Sequence, residues 1–369
     1  MPHTVLDFFA DLPDPRIERT KLHKLEDILA ITICAVICGA EGWTDIELFG
    51  RSKQSWLETF LELPNGIPSH DTFARVIASI QPDEFERRFQ KWTQALAKST
   101  DQNIIAIDGK TLRRSFDHAN GKAAIHMVSA WACQANMVFG QIATDEKSNE
   151  ITAIPELLKM LVLSGSVVTI DAMGCQKKIA QTIQEADGDY IFSLKGNHGT
   201  LHDEVRLFLD DAIANGGHYD YDDTTNGGHG RIERRKVWYS EEVQWIQDRE
   251  QWPGLSSVAV VESQRTIGDN VSTERRYFIS SLSGATAQTV AQMIRSHWGI
   301  ENKLHWSLDV SLGEDACRIR NDFGAENFSR LRRIALNLLK QEKTVKCGIK
   351  AKQRKAGWDE QYMLKVLQI

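Results

Sequence analysis

Two aspartates close short apolar runs rich in β-branched residues, Ile104-Ile-Ala-Ile-Asp108-Gly and Val167-Val-Thr-Ile-Asp171-Ala. A glutamate, Glu301, follows much later in His297-Trp-Gly-Ile-Glu301-Asn-Lys-Leu-His305-Trp. The Ile/Val runs read as strands buried on both faces of a sheet. An Asp at the C-terminal end of such a strand points into the crevice where open α/β sheets hold ligands. Two neighbouring strands ending this way bring two carboxylates together, a pair that is unstable without a hard cation between them. The chemistry expected of them is a two-Mg²⁺ carboxylate site acting on phosphodiesters. The plain alternative is that both are turn or N-cap residues, as Gly109 and Ala172-Met-Gly174 would also suit.

Glu301 stands four residues from His297 and four from His305, so on an ideal helix the three share a face. That stripe suits metal ligation, although it lacks the HExxH order of zinc hydrolases. Trp298 and Trp306 read as packing anchors, which leaves a structural helix face as the competing account. A carboxylate and two imidazoles buried without partners would be costly, and a metal or phosphate would account for them.

The elements that must position these groups fall into four stretches. Residues 1–98 read as a helical N-terminal domain: Leu25–Ile46 with an end or break at Gly39 and Gly42, Ser52–Leu61, a helix opening at Ser69-His-Asp, and another opening at Pro82-Asp-Glu. Successive short helices fit either a DNA-reading helix-turn-helix or a plain bundle. Residues 99–198 and 285–345 read as an α/β, RNase H-like mixed sheet core. Its strands are Ile104–Ile107, His126–Cys133, Met137–Ile142 (a hairpin through Gln134-Ala-Asn136), Val167–Ile170 and Tyr190–Leu194. Helices are expected at Ile154–Leu163, with Pro155 in the first turn, at Cys175–Ala186, and at Ala285–Gly299 continuing over Asn302–Leu308. An amphipathic helix is expected over Ala325–Lys340. Residues 199–284 lose helical period after Leu209 and read as a β-rich insertion with strands at Arg231–Tyr239, Ser257–Glu262 and Arg275–Ile279. Residues 346–369 read as a basic C-terminal tail.

At 369 residues, 42% hydrophobic and 25% charged, the chain has the composition of a soluble globular protein of two or three domains. The longest apolar stretch, Ile28–Ala40, is about 13 residues, short of the roughly 20 that span a bilayer, and it lacks the basic flank of a signal peptide. Six scattered cysteines with no CxxC pair suit reduced thiols in a cytosol rather than disulfides or zinc. A net charge of −6 argues against a protein that coats nucleic acid indiscriminately. From Arg318 to Lys355, however, twelve Lys/Arg face three acidic residues, a local +9 on a remainder of −15. That segment fits either local DNA contact or a solvated basic helix face.

Five ordered motifs give a specific resemblance: Ile107-Asp108-Gly-Lys-Thr111, Thr169-Ile-Asp171-Ala, Leu194-Lys195-Gly-Asn197, His229-Gly-Arg-Ile-Glu233 and Arg295-Ser-His-Trp-Gly-Ile-Glu301-Asn-Lys-Leu-His-Trp306. Together with Asp14-Pro-Arg16 and His23-Lys-Leu-Glu-Asp27, they resemble bacterial insertion-sequence transposases of the DDE class, in the H-repeat-associated family, across nearly the whole chain. The resemblance implies that Asp108, Asp171 and Glu301 are catalytic and bind two Mg²⁺ (or Mn²⁺) ions. It implies hydrolysis that frees a transposon 3′ end and transesterification that joins it to target DNA, with no nucleoside triphosphate. The implied partners are terminal inverted repeats and target DNA, held by a homodimer, with no membrane. The implied location is cytoplasmic and nucleoid-associated.

The chain departs from broader relatives around Glu301, where their Tyr, Arg and Lys signature is replaced by Ile294, His297 and Leu308. Asp309, Glu314 and Asp315 rival Glu301 as third ligand, with Glu301 preferred. Candidate phosphate contacts are Lys110, Arg113 and Arg114 after the first Asp, Lys195 and Asn197 at a strand end, and Arg295, His297 and Lys303 beside Glu301. Arg231 and Arg235 join them, sharing a strand face with Glu233 as either a DNA-tracking surface or a salt-bridge ladder. Lys195 would act as a point charge, though Gly196 and Asn197 equally suit a turn. Competing functions are a metal-dependent nuclease and a non-catalytic DNA-binding descendant of a transposase.

Overall fold

The computed structural model describes residues 4–97, 104–116, 121, 123–144, 150–228 and 230–369. The chain forms two compact units, one of Asp101–Asp108 with Glu150–Ile300, the other of Met1–Thr100, Gly109–Asn149 and Glu301–Ile369. Both belong to a mixed α/β protein.

In the first unit the strands lie in the order β1-β4-β5-β9-β8-β7-β6. These are β1 (Ile104–Thr111, through Asp108 in this unit), β4 (Val167–Ile170), β5 (Asp189–Leu194), β6 (Asp220–Gly228), β7 (Arg231–Ser240), β8 (Ser257–Ile267) and β9 (Asn270–Ser280). The first three are parallel, and β9 joins β5 antiparallel to begin an antiparallel meander. Parallel pairing needs a crossover. Helix α7 (Lys177–Glu185) supplies it between β4 and β5, burying Ile179, Ala180 and Ile183. Helix α9 (Ala287–His297) lays Ala287, Val290 and Ile294 on a core of Val167, Ile191, Val237, Val261 and Phe278. Helices α6 (Glu150–Lys159) and α8 (Thr200–Asn215) complete this unit.

The insertion is longer in strand than its sequence suggests. β6 was not expected, and β8 and β9 each run 11 residues. Their inner halves are buried while the outer halves are exposed and polar, so the apolar alternation that marks a strand exists for only half of each. Helix α6 likewise begins four residues before Ile154 and holds Pro155 inside it rather than in the first turn. Helix α8 carries on beyond Leu209 to Asn215.

The second unit is mostly helical. Its elements are α1 (Leu25–Ile37), α2 (Trp43–Ser52), α3 (Gln54–Leu57), α4 (His70–Ser79), α5 (Pro82–Ala97), the hairpin β2 (His126–Ala132) with β3 (Met137–Thr144), then α10 (Gly324–Gln341), α11 (Ile349–Trp358) and α12 (Glu360–Leu367). Helix α1 is apolar almost all round and therefore buried. It stops before Gly39, whose φ of +100° suits glycine. Ser69 caps α4 by accepting from Thr72 N–H. The helix expected at Ser52–Leu61 resolves instead into the end of α2 and the short α3.

Helix α10 is the axis of this unit and corrects the amphipathic expectation. Ala325 through Leu339 are buried but for Glu326, with Arg330, Arg332 and Arg333 inside rather than on a solvated basic face. Its polar groups serve neighbouring backbone. Asn327 donates to Ile77 O and Ile80 O at 2.8 Å each, and Asn337 brackets Val138, accepting from its N–H and donating to its carbonyl at 2.9 Å each. Val138 adjoins the bulge at Phe139, whose carbonyl, left over by the bulge, accepts from Thr93 at 3.0 Å. The basic tail is two helices. Tyr362, Met363, Val366 and Leu367 of α12 are buried because apolar residues recur there at helical spacing.

Candidate active site

The β1–β4 ladder sets the geometry of the two aspartates. Its parallel register runs from Ile104 opposite Val167 to Ile107 opposite Ile170. Asp108 and Asp171 are therefore the next residues on neighbouring strands, which lie about 4.8 Å apart. Both are half-buried. β1 continues three residues past Asp108, so that aspartate sits within a strand rather than at its end, although the pairing to β4 stops just before it.

Asp171 also serves a turn. Its Oδ1 accepts from the N–H groups of Met173 (3.0 Å) and Gly174 (3.3 Å). Both bonds fall on one oxygen, so turn and ligand roles can use different atoms of the carboxylate. Gly174 is needed here because a Cβ would run into Ile170 Cγ2 and lie 3.1 Å from Ile154 Cδ1. The loop after β5 is hung on the same turn. Asn197 donates to Ala172 O at 3.1 Å, and His198 Nε2 lies 3.1 Å from Cys175 O. Lys195, between them and β5, is exposed. Cys175 is buried, and burial together with Asp171 raises its thiol pKa, which leaves it inert.

His297, at the end of α9, is tied to β4 by a 3.0 Å contact between Nδ1 and Thr169 Oγ1. Burial lowers its pKa while the charge on Asp171 pulls the other way. Thr169 was missed as a site residue. Its signal was a lone hydroxyl within an otherwise aliphatic buried strand, and His198 gave no comparable signal.

Glu301 belongs to the second unit and is exposed. It lies on a π-helical stretch, Ile300–His305, followed by another, Ser307–Ser311. Such i→i+5 winding is rare and often marks functional sites. It also dissolves the expected stripe, because residues four apart no longer overlie one another. His305 turns inward, pushed down to about 4 by burial and then by Arg333, so it is neutral at pH 7. The anchors are Leu304 and Leu308, both fully buried, whereas Trp306 is exposed.

The three rival carboxylates are taken up by Lys110. Its Nζ lies 2.7 Å from Asp309, 2.8 Å from Asp315 and 3.5 Å from Glu314. Glu314 also holds Arg333 at 2.8 Å, with both side chains wholly buried, and accepts from Ser329 at 3.0 Å. Burial alone would raise the Glu314 carboxyl, but Arg333, Lys110 and Arg332 outweigh it and bring it to about 2. This interior network was invisible in sequence, where the α10 arginines read as surface charge.

Of the remaining candidates, Arg113 reaches Asp315 at 3.3 Å and Lys303 donates to Asn136 Oδ1 at 3.0 Å. Arg295 is exposed, as is Arg114, whose carbonyl accepts from Arg320. Arg231 and Arg235 both pair with Glu233, forming the salt-bridge ladder. His229 lies outside the described residues. Hard carboxylate oxygens on adjacent strands are donors that fit Mg²⁺ or Mn²⁺. Among the described residues, no group of three His, Cys, Asp or Glu side chains is poised to hold a metal ion. Nor, among them, is any helix long and apolar enough to cross a membrane, and no disulfide links the cysteines.

A family model described as "Transposase DDE domain" matches residues 99–338, and one described as "DDE_Tnp_1-associated" matches residues 6–93. The "H repeat-associated putative transposase YhhI" of Escherichia coli (strain K12) is 44% identical over 368 residues, covering 98% of this chain and 97% of that protein. The "Putative transposase YncI" of Escherichia coli O157:H7 is also 44% identical, over 99% of this chain and 94% of its own.

Proposed function

This chain belongs to the DDE transposase family, alongside H repeat-associated relatives, and from that premise we propose that it cuts and rejoins DNA through Asp108, Asp171 and Glu301. The observation that carries the reading is the β1–β4 register, which makes the two aspartates neighbours on adjacent parallel strands. The parallel β1-β4-β5 group with α7 then corresponds to an RNase H-like core.

Asp108, Asp171 and Glu301 are the residues that would hold two divalent ions, Mg²⁺ or Mn²⁺. Their presence would supply activation of water or a DNA 3′-hydroxyl and charge stabilisation of the leaving oxygen in an in-line displacement. The protein's own part is positional. Asp108 is fixed by its strand, and Asp171 by the two N–H bonds to its Oδ1. His297, locked to Thr169, stands beside Asp171 where broader relatives carry Arg, and shapes that wall of the site. Glu301 is the third ligand in preference to Asp309, Glu314 and Asp315, which Lys110 and Arg333 already engage. Lys195, Arg295 and Lys303 are exposed cations that can meet phosphates, with Arg113 and Arg114 nearby in sequence to Asp108. The substrates are the element's terminal inverted repeats and target DNA, synapsed by a homodimer in the cytoplasm at the nucleoid.

The test is a supercoiled plasmid carrying two inverted-repeat ends, incubated with the protein and Mg²⁺ or Mn²⁺. Joined strand-transfer products are expected. Nicking without joining would indicate a nuclease, and binding with neither would leave a DNA-binding protein without this chemistry.

A further inference from the structure

Among the described residues, the cations of the sheet insertion and of α10 are largely matched. In the β6–β9 meander, Arg231 and Arg235 share Glu233, Arg234 holds Asp223, and Arg275 bridges Asp210 and Glu262. In α10, Arg330 and Arg333 are buried on Glu86 and Glu314. One face of helix α11 is different, although Lys352 and Lys355 elsewhere on it pair with Glu342 and Asp359. Lys350, Arg354 and Trp358 are spaced four apart and so fall on one face. All three are exposed, Trp358 by 79%. Among the described residues, neither Lys350 nor Arg354 forms a salt bridge, and exposed Lys343 and Lys346 precede them.

This face is joined to the segment that carries Glu301. Lys350 Nζ donates to Ser311 O at 3.2 Å, at the end of the second π-helical stretch. Lys303, two residues after Glu301, and Lys343 are both close enough to Lys340 to disfavour its charge. A band of like charge therefore runs from the Glu301 segment to Trp358 in a chain whose net charge is −6. Those of its cations that form no salt bridge among the described residues, Lys343, Lys346, Lys350 and Arg354, lose their mutual repulsion on meeting a polyanion. An exposed aromatic among them fits the sugar and base edges beside phosphates.

We propose that the Lys350–Arg354–Trp358 face of α11, with Lys343 and Lys346 ahead of it, is a docking surface for duplex DNA, gripping the phosphate backbone away from the reacting phosphodiester. It rests on the transposase reading and adds to it a contact that positions DNA without taking part in chemistry.

The test uses the full chain carrying Asp108→Asn, which prevents cleavage, and a labelled duplex bearing one terminal repeat, with affinity measured across salt concentrations. In that background, Lys350→Gln with Arg354→Gln should lower the slope of log K against log salt by about 1.8, and weaken binding roughly 50-fold at 0.1 M salt. Trp358→Ala should weaken binding several-fold with the slope unchanged. Arg51→Gln with Arg87→Gln, two exposed cations paired to Glu47 and Glu84, should leave both quantities unchanged. Equal slopes in the α11 variant and its parent would overturn this surface while leaving the transposase reading intact. An equal loss in the Arg51/Arg87 variant would overturn it too, by reducing the effect to net charge. If the parent binds no duplex at all, both readings fall.

Discussion

Glu314→Gln tests whether the buried charge network holds the helical unit together. The substitution keeps the side chain's shape and an oxygen for Ser329 and Arg333 but removes the charge. Lys110 retains Asp309 and Asp315, whereas wholly buried Arg333 loses its carboxylate. Stripping one partner from a buried pair costs about 3–5 kcal/mol. A similar size follows from the carboxyl itself. Burial raises it, yet Arg333, Lys110 and Arg332 bring it from 4.5 to about 2. At about 1.4 kcal/mol per pH unit that is roughly 3 kcal/mol. For a unit of roughly 200 residues, the melting temperature should fall by about 10 °C at pH 7. Because the folded-state value lies below the unfolded one, the stabilisation is complete above pH 4.5 and fades as pH falls toward 2. Urea unfolding of both proteins at pH 7 and in mild acid should show a gap that narrows on acidification. A variant within about 0.5 kcal/mol of the parent at pH 7, or a gap independent of pH, would show that the Glu314 charge does not hold this unit together.

Other outcomes follow from the same geometry. Gly174→Ala forces a Cβ into Ile170 and should cost about 1–3 kcal/mol while reducing DNA cleavage more than DNA binding, as the turn on Asp171 shifts. Thr169→Val leaves His297 Nδ1 without its hydroxyl partner and should cost about 1–3 kcal/mol in urea unfolding, with Thr169→Ser restoring most of it. Lys340 is pushed down to about 8 by burial, then by Lys303, Lys343 and Lys352. Its folded form releases a proton that the unfolded chain keeps up to about 10.4, so stability should rise with pH between those values, and Lys340→Met should flatten the rise in thermal melts.

The sequence carried the strands β1, β4 and β5 and their aspartates plainly, because runs such as Val167–Ile170 are β-branched throughout, apolar but for Thr169, and followed by a carboxylate. Helices with a cap and an apolar period, α4 and α5, were equally legible. The failures share a cause. Arg330, Arg332 and Arg333 look like solvent-facing charge until Glu86, Leu312 O and Glu314, none of them local to the helix, are brought to them. β6 and the outer halves of β8 and β9 are polar because nothing covers them, so the local pattern lacks the contrast that marks a strand. The π-helical winding at Glu301 defeated the i±4 argument for His297 and His305, since periodicity assumes an α-helix in advance. Lys110, a DNA candidate by its place after Asp108, was claimed by carboxylates some 200 positions later.

The central claim is that neighbouring strand aspartates, not DNA contacts elsewhere, perform the reaction. Asp108→Asn and Asp171→Asn, each assayed on the two-ended plasmid with Mg²⁺ and in parallel for duplex affinity, test it most directly. Cleavage and joining should vanish in both while affinity stays within about threefold of the parent. Cleavage retained by either variant would contradict it.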